Sequence, residues 1–446
     1  MKNQSRRSFI LKSAMATAGF GLLASPYAIG LSKKPVGAND RIRIALIGCK
    51  GMGWSNITSL HKIADVELVA LCDVDNNVLD SRSVDFEKMT GKRPLRYTDY
   101  RKLLENKDID AVVIATPDHW HGLMMIHACE SGKDIYVEKP LANTIEECYA
   151  MVAAGKKYNR VVQVGQWQRS GKHWQEAVDF VQSGKLGNIR TVKTWSYVDW
   201  KSRLPVQPDQ PVPAGVDYAM WLGPAPKRPF NPNRFHFNFR WYWDYAGGLM
   251  TDWGVHLIDI ALYAMKAQAP NSVMSSGGKF AYPDDAMQTP DTQTAIYEFD
   301  HFTMIWEHAV GIGLGPYHRS HGVAFIGNNG TLVVDRNHWE VFAEANKDSE
   351  ISAKFKMEPV EPQRGVGRDL DEHTKNFIDC MKSRKTPNCD VAVGSNTAIN
   401  AHMGNIAYKV GKKIYWNKEK KLFDQDRAAN KLIKADYYND WKLPKV

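Results

Sequence analysis

The residues whose types and spacing suit chemistry fall in a few short stretches. Gly48-Cys49-Lys50-Gly51-Met52-Gly53 stands between the apolar run Ile42–Ile47 and a segment from Trp54 to Ile63 with apolar residues at helical spacing. A strand, a glycine turn and a helix N-terminus make a phosphate site. Backbone N–H groups converge there, the helix dipole favours an anion, and glycine lets the backbone come close. Asp73 ends the next apolar run, Val66–Cys72, about twenty residues on, where a carboxylate can hold a ribose 2'-hydroxyl and so prefer NAD to NADP. The turn departs from Gly-x-Gly-x-x-Gly, because Lys50 occupies the place of the second glycine. Either Gly51 takes over through a small shift of the turn, with Lys50 adding a phosphate contact, or cofactor binding is weakened. Further on, Asp252 and His256 are four apart, so on a helix they share one face and can meet one ligand. Such a pair suits proton transfer, but also a buried histidine held by a carboxylate, or half of a metal site.

These groups need positioning elements, and the pattern from Arg41 to about Arg160 supplies them by alternating strand and helix signals. The run Ile109–Ala115 ends in Thr116-Pro117-Asp118-His119-Trp120-His121, and Lys133–Val137 ends in Glu138-Lys139-Pro140. In a doubly wound sheet the strand C-termini carry the ligand groups. Thr116, Pro117, Met52 and Glu138 are therefore cofactor-side candidates. His119 and His121 are expected to line the nicotinamide end of the cleft or cap the strand; by spacing they have no third partner for a metal.

Beyond Gly165 the pattern changes to a long alternating strand, Gly187–Val198, then a loop, Lys201–Tyr245, rich in proline and aromatics. Further strands follow at 292–299, 303–308, 322–326 and 331–334, reading as an antiparallel sheet. Helices near 370–382 and 391–410 close the pattern, and 411–446 carries no assignable one. The expected class is α/β: a Rossmann dinucleotide-binding domain at 40–164, followed by an α+β domain at 165–446 with a large, mostly antiparallel open sheet.

At 446 residues, with 43% hydrophobic and 24% charged content, the composition is that of a globular protein of two or three domains. The net charge of +9 falls to about +5 without Lys2, Arg6, Arg7 and Lys12, and no Lys/Arg stripe with interleaved aromatics marks a nucleic-acid surface. Ser5-Arg6-Arg7-Ser8-Phe9, followed by the mild apolar run Ala14–Leu23, resembles a twin-arginine signal, assigned to residues 1–30, and implies a periplasmic or exported protein. No later segment is long and apolar enough to span a membrane. The six cysteines form no C-x-x-C pair, so neither a zinc site nor a disulfide framework is indicated.

The glycine turn, the Asp73 strand end, Ala-Thr-Pro-Asp-His-Trp-His and Glu-Lys-Pro, in this order, resemble the glucose-fructose oxidoreductase, inositol dehydrogenase and rhizopine-catabolism (Gfo/Idh/MocA) family. The resemblance implies NAD as cofactor, a small carbohydrate or cyclitol substrate, and a homo-oligomer, dimer or tetramer, formed through the open sheet. It implies that Lys139 is catalytic beside the nicotinamide, commonly before a cis proline, and that Asp252 and His256 complete the site. His256 is then the proton acceptor from a secondary hydroxyl, Lys139 stabilises the developing alkoxide, and Asp252 binds a neighbouring hydroxyl or orients the imidazole. The roles of Lys139 and His256 can be exchanged. Gln166, Trp167, Gln168 and Arg169 face the same cleft in the family's layout and are candidates for substrate contacts. Trp167, Trp200 and Trp241 to Trp243 could stack on pyranose faces or pack the loop. The activity implied is NAD-dependent oxidation of a sugar, glycoside or cyclitol hydroxyl. The alternative is a closed cycle with tightly held, recycled NAD, either between two sugars or in redox-neutral glycoside hydrolysis through a keto-sugar.

Overall fold

The computed structural model describes residues 41–347 and 354–446. The twin-arginine-like stretch and the whole of 1–30 lie outside the described residues. Two sheets organise the chain. Six strands, β1 (Ile42–Ile47), β2 (Val66–Cys72), β3 (Leu95–Tyr97), β4 (Ala111–Ile114), β5 (Asp134–Val137) and β6 (Val162–Val164), form a wholly parallel sheet in the order β3-β2-β1-β4-β5-β6. Their helical connections cover both faces, so β4 and β5 are buried at every position. Local chemistry sets the helix starts: Asp75, Asp99 and Thr144 each accept a backbone N–H of the first turn with their side chains. Strand order reverses direction between β1 and β4, which opens a crevice at the strand C-termini.

The second sheet has ten strands: β7 (Thr191–Val198), β8 (Ser272–Gly278), β9 (Thr292–Glu298), β10 (Thr303–Val310), β11 (His321–Ile326), β12 (Gly330–Val334), β13 (His338–Ala343), β14 (Val360–Arg364), β15 (Ile414–Asn417) and β16 (Leu422–Phe423). Its order is β14-β13-β12-β11-β7-β10-β9-β8-β15-β16, antiparallel except where β7 meets β10. The expected α/β class, a Rossmann sheet followed by a large and mostly antiparallel one, is what the chain adopts. The helices Lys172–Gln182, Gly254–Ala264 and Val391–Val410 pack against this second sheet. Two strands of this sheet escape a reading by hydropathy. β8 is Ser/Gly-rich, and β14 is exposed and contains Pro362, which only an edge position tolerates.

The unassigned tail also has a definite course. Ile414–Asn417 extends the sheet beside β8, and the chain then returns to the first domain. There the Tyr437 hydroxyl donates to Glu147 Oε1 at 2.6 Å, and Trp441 meets Trp120 edge-on at 5.0 Å. All six cysteines are free and buried. Among the described residues no helix is long and apolar enough to cross a membrane, and no group of His, Cys, Asp and Glu could hold a metal ion.

Candidate active site

A cleft of about 1400 Å³, open solvent included, lies at the C-terminal ends of β1, β2, β4 and β5. Its floor is the glycine turn. Gly48 has φ +88°, and a Cβ there would stand 2.5 Å from the Ala115 carbonyl oxygen, so only glycine fits. Gly53 packs the helix Gly51–His61 on β1, with a Cβ position 2.1 Å from Gly48 O. The departure at Lys50 is resolved by the backbone. Lys50 is an exposed, extended residue (φ −94°) preceding the helix, so it needs no glycine, while Gly51 takes the positive φ of +41° with open space around it. The close-approach position has moved one residue along, and the turn retains its bare N–H face toward the cleft.

Asp73 lines the same cleft from the end of β2. One carboxylate oxygen accepts the Cys49 N–H at 2.9 Å, and the other accepts the Asp75 N–H at 3.1 Å. Each oxygen keeps a lone pair for a ribose hydroxyl. Burial raises the Asp73 pKa and the two N–H donors oppose it. These residues fit a dinucleotide: turn amides for the pyrophosphate, Asp73 for the adenosine ribose. We expect Asp73→Ala to raise the Kd for NAD by about tenfold and erase any preference over NADP, as read by calorimetric titration with both nucleotides. Unchanged affinities for both would remove Asp73 from the ribose site.

Lys139 follows β5, with a cis peptide to Pro140. Its Nζ donates to Asp252 Oδ1 at 2.6 Å and to the Asp252 carbonyl at 3.1 Å. The other carboxylate oxygen accepts from Arg240 Nη1 at 2.8 Å. Burial would raise the Asp252 pKa, but Arg240 and Lys139 outweigh it and hold the carboxyl well below its usual range. Asp252 and His256 do not share one uninterrupted helix. Asp252 ends the helix Gly248–Asp252, His256 lies in Gly254–Ala264, and Trp253 is the turn between them. His256 is buried and its Nδ1 has no hydrogen-bond partner among the described residues. Burial, then the charges of Lys139 and Arg336, push its pKa well below the ordinary histidine value, so the imidazole is neutral at neutral pH. Its ring meets Trp167 at 5.7 Å and Trp253 at 6.3 Å.

Several expected contacts are placed elsewhere. His119 and His121 do not line the cleft: His119 Nε2 lies 3.1 Å from Trp221 O, and the His121 ring nitrogens lie 2.8 and 2.9 Å from Pro140 O and Thr116 O. His121 thereby caps the ends of β4 and β5, one of the two places expected for it, and His119 ties the end of β4 to the loop at Trp221. Arg169 is buried, and its Nε donates to buried Asp259 at 2.7 Å. Gln166 is buried against Cys389, whose thiol donates to Gln166 Oε1 at 3.3 Å. Trp241 is fully buried, and Trp243 Nε1 is spent on Gln288 O. Thr116, Pro117, Glu138, Lys50 and Met52 all line the cleft; Glu138 there accepts Asn56 Nδ2 at 2.8 Å.

Two further cleft residues carried a weaker signal. Asp118, directly after Thr116-Pro117 at the strand end, lines the cleft, and burial raises its carboxyl to about 8 against the pull of Lys139. Arg240 sits in the aromatic loop, where no spacing marks it.

Residues 42–166 match the oxidoreductase-family model described as the NAD-binding Rossmann fold, and residues 175–443 match the oxidoreductase-family C-terminal alpha/beta domain. Among curated relatives, a "Glycosyl hydrolase family 109 protein" of Shewanella baltica is 33% identical over 207 residues, covering 42% of this chain and 45% of its own length. One of Shewanella putrefaciens is 31% identical over 206 residues, with the same coverage. The chain thus spans about half the length of the curated relatives it matches. Among solved structures, an aldose-aldose oxidoreductase from Caulobacter crescentus complexed with glycerol superposes with a TM-score of 0.63 at 19% identity, covering 84% of this chain and 99% of that one. The WlbA dehydrogenase from Bordetella pertussis, in complex with NADH and UDP-GlcNAcA, gives 0.61 at 17% identity, covering 84% and 99%. At such identities the likeness is one of fold. With both of its domains matched, this chain belongs to the Gfo/Idh/MocA oxidoreductase family, and NAD is the cofactor of its Rossmann domain.

Proposed function

We propose that this protein oxidises a secondary hydroxyl of a sugar, glycoside or cyclitol, with Lys139, Asp252 and His256 as the reacting groups. The observation that carries the reading is the Lys139–Asp252–Arg240 ion cluster at the cleft wall, beside a buried imidazole held neutral. Bound NAD supplies the hydride acceptor for the carbinol carbon. His256 takes the hydroxyl proton at a ring nitrogen, and the Lys139 ammonium stabilises the oxyanion as it forms. Asp252, firmly ionised, orients Lys139 and accepts from a neighbouring hydroxyl. The walls of the cleft, Met220, Trp221, Phe237 and Phe239, give it an apolar side for a sugar ring.

A second reading is favoured by the curated relatives' name: oxidation, loss of the proton beside the ketone with departure of the aglycone from the next carbon, addition of water across the resulting double bond and return of the hydride, for net glycoside hydrolysis. The two readings separate on one assay. Protein purified without added nucleotide is denatured and the supernatant assayed for NAD(H). Stoichiometric release supports the closed cycle, and an empty protein that reduces added NAD with sugars supports the simple dehydrogenase. An empty protein that binds no NAD defeats both. Export through the twin-arginine-like stretch and assembly as a dimer or tetramer belong to the same proposal, to be read from periplasmic fractionation and light scattering.

A further inference from the structure

One cation near His256 takes no part in the chemistry above. Arg336 follows β12, and its guanidinium lies between two indoles, 4.6 Å from the Trp167 ring and 4.4 Å from the Trp253 ring. These are the same two rings that His256 meets. Base and guanidinium are thus held by one aromatic pair, and they feel each other's charge.

A structural arginine in such a place is normally paired with a carboxylate. Arg336 is not. Its one hydrogen bond is a long 3.4 Å contact from Nη2 to Gln168 Oε1, and its Nε is buried without a partner. No described carboxylate comes within 4.0 Å of it; Asp252 and Asp369 act on it only from farther away. Asp252 is already shared by Lys139 and Arg240. The neighbouring His321 meets Trp253 at 5.0 Å with its ring tilted by 53°, and its Nε2 is likewise buried and unpartnered. Lys139 and Arg240 share Asp252, while Arg336 has no carboxylate at pairing distance among the described residues, so its N–H groups are left for an anion.

We infer that the sugar bound here carries a carboxylate, as a uronic acid or uronide does, and that Arg336 receives it. The planar fork of a guanidinium matches a carboxylate, and the flanking indoles fix its plane while offering apolar faces to the ring. The inference rests on the proposed site, since it places the reacting hydroxyl at His256 and the carboxylate at the guanidinium that shares its two indoles.

The test uses the full chain loaded with NAD. Tryptophan fluorescence is titrated with methyl β-D-glucuronide and methyl β-D-galacturonide against methyl β-D-glucoside and methyl β-D-galactoside. At least one uronide should bind about tenfold or more tighter than its neutral counterpart, with the advantage shrinking as salt rises. Arg336→Gln should abolish that advantage and Arg336→Lys should keep part of it. No preference for either uronide, or equal loss of neutral and acidic ligands in Arg336→Gln, overturns the inference. NADH absorbance in the same samples separates it from the proposed function. Neutral glycosides turned over by the wild-type protein, with neither uronide preferred, leave the oxidoreductase reading and remove the anion site. A uronide bound through Arg336 without hydride transfer or cleavage does the reverse.

Discussion

Lys139→Met lowers kcat by about 10³-fold, with the unfolding midpoint little changed. The methionine keeps the volume of the side chain, and Arg240 still pairs with Asp252 at 2.8 Å, so no buried carboxylate is stranded. What disappears is the one ammonium aimed at the developing oxyanion, a loss of the size seen when a preorganised electrostatic donor is deleted. Single-turnover hydride transfer measures it, with circular dichroism on the same sample to show that the fold is intact. Full turnover in Lys139→Met ends the assignment.

His256→Ala should cost about 10²–10⁴-fold in kcat, the range of a positioned general base. Its pH profile carries the sharper information. Burial, Lys139 and Arg336 push the folded pKa of His256 well below the ordinary histidine value. The neutral, proton-accepting form therefore persists as pH falls past that ordinary value, and wild-type kcat/KM should be flat through neutrality with its acid limb displaced to lower pH. An acid limb at the ordinary histidine pKa, or a variant retaining both rate and limb, would show that another group takes the proton. In the exchanged assignment Lys139 is the base, and His256→Ala then keeps the larger part of the rate while Lys139→Met loses it.

Arg336 shows why some of the site was hidden from the sequence. Nothing in the run Val333-Val-Asp-Arg336-Asn-His distinguishes this arginine from a solvated turn residue. It becomes notable only because the β12–β13 turn is brought over Trp167, far earlier in the chain, and Trp253, between two helices. Arg240 is the same case, meeting Asp252 through a loop whose path no periodicity describes. His119 and His121 are the converse case. Strand-end position foretold that they line the cleft or cap the strand, and only the structure names their carbonyl partners, Trp221 O for His119 and Thr116 O and Pro140 O for His121.

By itself the sequence determined what depends on local pattern and chain direction. A buried parallel strand, a glycine turn and an acidic residue closing the next strand follow from hydropathy and backbone freedom, so the nucleotide end of the cleft was legible from Ile42 to Asp73. The period-2 runs from Thr191 to Val334 likewise announced a second sheet. Tertiary structure alone decided register and charge balance. The one-residue shift at Lys50 depends on which φ the turn adopts against Ala115, and the Lys139–Asp252–Arg240 cluster joins side chains from separate elements. The neutrality of His256 follows from burial and from charges contributed by distant segments. Such long-range, through-space terms leave no mark in local sequence, because any chain path that brings the groups together produces them equally well.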